Sequence, residues 1–152
     1  MITGSFAQAD QANALPARSG KQRFASRGQQ PTVLADVYRD NVNIAIWQRK
    51  LSESLQADIR NLPQSPSAVK IAMTVSPAST LSSVSESLRT SRDSSLCQDI
   101  AKLVEMFCEL FGLERAGLRL SELDDAMCPR FHVDMVPCRL ITTYNGPGTD
   151  WL

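Results

Sequence analysis

Residues 94–112 constrain the fold of this chain more than any other stretch. Leu96, Ile100, Leu103, Val104, Phe107, Cys108 and Phe111 recur at three- and four-residue spacing, with Gln98, Asp99, Lys102, Glu105 and Glu109 between them. That period gathers the apolar set on one stripe of an α-helix and leaves the other side to water. Asp93 or Ser94 can cap the start, and Gly112 supplies a left-handed stop. So broad a stripe must be buried against other elements, so it reads as core packing, Cys108 included.

Several segments can supply those elements. Val42–Trp47 (VNIAIW) alternates and is β-branched, as a strand with one buried face requires. Gln48 to Arg60 places Leu51, Leu55 and Ile59 four residues apart, a short helix that Pro63 and Pro66 would end. Ala68 to Val75 reads as a second strand and Ala116 to Leu123 as a third, at period two. Cys138 to Tyr144 is rich in β-formers, and Asn145-Gly146 after it is a hairpin signal, with a returning strand from Thr149. Nine of the twenty residues from Ser76 to Ser95 are serine. That stretch suits either a phosphorylation-regulated linker or, preferably, a surface loop with one helical turn, in which Ser83 and Glu86 have capping-box spacing. The class is α+β.

Residues 1–32 lack either period and are expected to be a disordered tail, with the domain at 33–152. The tail's Ala, Gln, Ser and Arg content is that of a transit peptide or of a solvated tail, and the second reading is preferred. Sixteen Lys and Arg balance sixteen Asp and Glu, which argues against a nucleic-acid partner. No apolar run approaches the ~20 residues that cross a bilayer. The four cysteines form no CxxC pair, and a secretory apolar region is lacking, so a reducing cytoplasm is expected.

One constellation can carry chemistry. His132 is the only histidine of the chain, and Asp134 is two residues away. On a strand both side chains would point to one side, where an imidazole and a carboxylate can share a divalent cation. Phe131, Val133 and Met135 would then face a core. Cys128 and Cys138 flank the pair as accessory thiolate ligands for zinc, although their spacing fits no standard zinc module. Arg130 and Arg139 bracket it and can grip a substrate carboxylate, or serve as ordinary surface charges. The plain alternative is a structural hydrogen bond of His132 to Asp134 or to backbone. A two-histidine, one-carboxylate iron site needs a second histidine, which the chain lacks, so catalysis by this chain is not expected. Gly146-Pro147-Gly148 reads as a turn and not a phosphate loop. A Cys–His nucleophile pair lacks any accompanying elbow or oxyanion signature.

The block Ala126 to Leu152 (AMCPRFHVDMVPCRLITTYNGPGTDWL), together with Gly117-Leu-Arg-Leu120 and Ile44-Ala-Ile-Trp47, resembles an uncharacterised bacterial family, domain-of-unknown-function family 1826 (DUF1826). The resemblance runs from about residue 33 to the end. It implies a double-stranded β-helix, cupin-like or oxygenase-like, with His132 and Asp134 as its first two ligands for iron or zinc. It also implies a link to zinc homeostasis and a metal-chaperone GTPase as partner. An adaptor role beside that GTPase, with His132 and Asp134 purely structural, is the alternative. Members of the family continue past this endpoint to another histidine. The chain is therefore expected to be an incomplete portion, with open sheet edges that promote self-association.

Overall fold

A computed structural model describes residues 23–62, 70–122 and 136–148. They fall into two units, 23–51 and 52–148.

In the first unit β1 (Phe24–Gly28) pairs in parallel with β2 (Val42–Trp47). The crossover between them is a 3-10 helix over Pro31–Tyr38, started by Pro31, whose missing N–H costs nothing at a helix start. Gly28 permits the tight approach of that helix: a Cβ there would stand 3.0 Å from Val33 Cβ. Trp47 Nε1 donates to Gln29 O at 3.1 Å, and Ser26 Oγ donates to Asp36 on the helix. The strand Val42–Trp47 lies where its alternation predicts. Strand β1 and the first two residues of the 3-10 helix fall within residues 1–32, read from sequence as a tail, because FASRG lacks strand alternation and is recruited by pairing with β2. Gly28→Ala is expected to cost about 1–3 kcal/mol through overpacking against Val33. Faster amide exchange across residues 24–47 in that variant would show it.

The second unit holds every buried residue of the described chain. Helix α1 spans Glu53–Arg60 and is capped by Ser52, whose Oγ accepts from Leu55 N at 3.2 Å. It starts later than the expected Gln48, because Ser52 supplies the capping side chain. Strand β3 (Lys70–Val75) leads into α2 (Pro77–Leu88), a short connection leads to α3 (Ser95–Phe111), and β4 (Ala116–Ser121) returns antiparallel to β3. Ile71 pairs with Leu120, Met73 with Leu118 and Val75 with Ala116 on the inward face. Lys70, Ala72 and Thr74 point outward and are exposed. Both helices lie against this sheet.

Helix α3 follows its sequence pattern. Leu96, Ile100, Leu103, Val104, Phe107 and Cys108 are buried, as is Cys97. Gly112 ends the helix at φ +61°, and Leu113 N donates to Cys108 O at 2.8 Å, closing the terminal turn.

Helix α2 corrects the serine-rich loop. Ser76 and Ser79 form a reciprocal capping box, in place of the Ser83/Glu86 pair, and Pro77 opens the first turn. Thr80 and Ser85 are buried yet satisfied within the helix, through Ser76 O at 2.7 Å and Ser82 O at 3.0 Å. Hydroxyls that bond back to their own helix cost little when buried, so a serine-rich segment can pack against α3. Arg89 ends α2 in the left-handed region at φ 52°. Removing its Cβ in Arg89→Gly should stabilise the fold by about 0.5–1 kcal/mol, read as a higher urea midpoint.

The N-terminus of α3 is capped from another helix. Ser94 makes no side-chain cap of its own. Its Oγ instead donates to Asp58 Oδ2 at 2.8 Å, and Leu96 N donates to the same oxygen at 3.2 Å. These hydrogen bonds, the Ser94 hydroxyl first, hold the Asp58 carboxyl below its ordinary value. A carboxyl whose pKa is lowered by folding stabilises above its unfolded value, near 3.9, and loses that contribution as pH falls through the folded value. Asp58→Ala should therefore cost about 1 kcal/mol at neutral pH. The difference from wild type should shrink in unfolding titrations as pH falls below about 4 and vanish once pH is below the folded value.

The architecture is thus α+β. Among the described residues the sheets are two separate two-stranded pairs, one of them parallel, and no double-stranded β-helix is formed. The expected strand from Cys138 to Tyr144 is not one: only Leu140 makes an isolated bridge. β-Forming side chains do not by themselves make a strand, because strand preference depends on what the segment packs and pairs against. The chain bends at residues 144–146, with Gly146 at φ +86°, and the returning strand expected from Thr149 lies outside the described residues. No helix among the described residues is long and apolar enough to cross a membrane.

Candidate functional site

His132, Asp134, Cys128 and Arg130 lie outside the described residues. The other two candidates, Cys138 and Arg139, belong to a described arm over 136–148, which begins two residues after Asp134.

The arm is fastened to α3 by a side chain. Tyr144 donates its phenolic hydrogen to Asp99 Oδ2 at 2.7 Å, in partly buried surroundings. Asp99 sits on the flank of α3, one residue before fully buried Ile100, so the acceptor is carried by the best-packed helix of the unit. A hydroxyl bound to a carboxylate is a strong, charge-assisted anchor.

Cys138 is half-buried and not disulfide-bonded. Burial pushes its thiol pKa up, and the backbone N–H of Arg139 offsets part of that. Such a thiol stays protonated at neutral pH, and a bound cation would have to displace the proton. Arg139 is half-buried too, with its Nε shut off from solvent. Cys97 and Cys108 are buried in α3 with thiol pKa values raised chiefly by desolvation, which suits core packing and not reactivity.

The described residues contain no group of three or more His, Cys, Asp or Glu placed to hold a metal ion. The donor chemistry of the segment 128–138 nevertheless suits a divalent cation. An imidazole, a carboxylate and two thiols are the ligand types of zinc, and the first two serve iron as well.

The sequence model of a family described as a protein of unknown function, DUF1826, matches residues 28–152. The chain belongs to the DUF1826 family. The DUF1826 match begins at the last residue of β1 and takes in both units, the His132–Asp134 segment and the arm. No curated protein and no solved structure matches the chain. DUF1826 membership assigns no activity, so the chemistry has to be argued from the residues.

Two side chains of this region escape sequence reasoning. Asp99 reads as one polar residue on a helix flank, and Tyr144 as one β-former in a presumed strand. They meet across 45 positions of sequence, and no local pattern signals such a pair.

Proposed function

We propose that this DUF1826 chain is a metal-binding protein of the cupin or oxygenase-like class that takes part in zinc homeostasis. His132 and Asp134 are its primary ligands for zinc or iron, with Cys128 and Cys138 as accessory thiolates. One observation carries the reading: the sole imidazole of the chain stands two residues from a carboxylate and between two cysteines, with the polypeptide just beyond fastened to α3. The zinc version uses four donors from eleven residues, which closes a structural or storage site without needing a second histidine. Metal binding without turnover is the expected behaviour. Arg130 and Arg139 are placed in sequence to hold an anionic group beside the ion.

Equilibrium dialysis against Zn2+ and Fe2+ tests the proposal. Wild type should retain an ion that the His132→Ala/Asp134→Ala double variant releases. Equal retention by both proteins would remove the metal role. A pull-down of a metal-chaperone GTPase that survives the double substitution would favour the adaptor role.

A further inference from the structure

Helices α2 and α3 leave an open groove of about 700 Å3 between them on their exposed side. Pro77, Ala78 and Leu81 of α2 and Ala101 of α3 line it with apolar surface. The two alanines keep it open where larger side chains would fill it. Its polar lining residues, Gln98, Lys102 and Glu105, are all exposed. A small-molecule pocket instead encloses its ligand and aims a few buried polar groups at it. The groove therefore suits a protein surface.

The charges along α3 say which surface. Gln98, Lys102, Glu105 and Glu109 are exposed and follow one another at four, three and four residues, one stripe of the helix. The stripe runs neutral, positive, negative, negative. Laid antiparallel against itself, Gln98 meets Glu109 and Lys102 meets Glu105, and both contacts recur across a twofold axis midway between 102 and 105. Within one helix the pair is poorly ordered, because the lysine stands N-terminal to the glutamate. Neither side chain is in an ion pair among the described residues. The chain carries sixteen charges of each sign, so two copies do not repel at long range near neutral pH.

We infer that the α2–α3 groove is a homodimer interface: a second copy of this chain lays its α3 antiparallel across it, with Lys102 of each copy facing Glu105 of the other. This surface is separate from the sheet edges and requires no bound metal.

Sedimentation of the full chain over a range of concentrations tests it. Wild type should move from 16.7 kDa toward twice that mass as concentration rises. Lys102→Glu sets like charges together at both symmetry-related contacts, and Glu105→Lys does so with the opposite sign. Each should weaken the dimer about tenfold or more. Both side chains are exposed, so circular dichroism should be unchanged. The swapped variant Lys102→Glu/Glu105→Lys restores the pairing and should recover most of the affinity. Lys70→Glu makes the same change of net charge on the exposed face of the sheet and should dimerise as wild type does.

A wild type that stays at 16.7 kDa at every concentration would overturn the interface. So would single reversals at 102 and 105 that leave the dimer intact, or a Lys70→Glu variant weakened as much as they are. A photocrosslinking side chain at position 78 reports what covers the groove. Joining to α2 or α3 of a second chain supports the dimer, whereas joining to another segment within a single chain contradicts it.

Discussion

Phe107→Ala is expected to destabilise the 52–148 unit by about 3–5 kcal/mol. The ring is 1% exposed and meets Phe111 at 4.9 Å between centroids, tilted by 54°. It sits one turn beyond Leu103 and Val104, both buried on a helix that packs against α2, α1 and β4. Truncation removes the transfer free energy of the ring and leaves a cavity that a helix held on several sides cannot collapse. Domains of this kind are stable by only about 5–15 kcal/mol, so the loss is a large fraction of the whole. Urea unfolding at a fixed m-value reads it directly. Phe111→Ala should cost less, since Phe111 is only half-buried. Equal costs at the two positions would mean that the core is not centred on the 96–108 stripe.

His132→Ala has the largest expected effect on binding. Structural zinc sites hold their ion with about 10–16 kcal/mol shared among some four ligands, so losing one corresponds to at least about a hundredfold in affinity. Isothermal titration with Zn2+ at neutral pH, comparing wild type with His132→Ala, would read the loss.

Helix α3 and strand β4 are legible in the sequence because each buries one face and so writes its period into the apolar residues, and β2 through its β-branched alternation, although none of its residues is fully buried. Where burial is achieved otherwise, the sequence misleads. Helix α2 buries Thr80 and Ser85 beside Val84, with the hydroxyls turned back on their own helix, so only part of its buried face is apolar. Strand β1 is defined by its parallel partner β2, each of its residues pairing with one 18 or 19 positions further on. The Cys138 to Tyr144 segment shows the converse, with strand-like composition and no ladder. The His132–Asp134 motif is visible at once, being local. The Tyr144–Asp99 hydrogen bond and the Asp58 cap on α3 are not, because both join residues more than thirty positions apart.

The metal content of the purified full chain tests the central claim most directly. Elemental analysis of wild type should find zinc or iron approaching one ion per chain, and His132→Ala, purified alongside, should be nearly empty. The same metal content in both proteins would contradict the account.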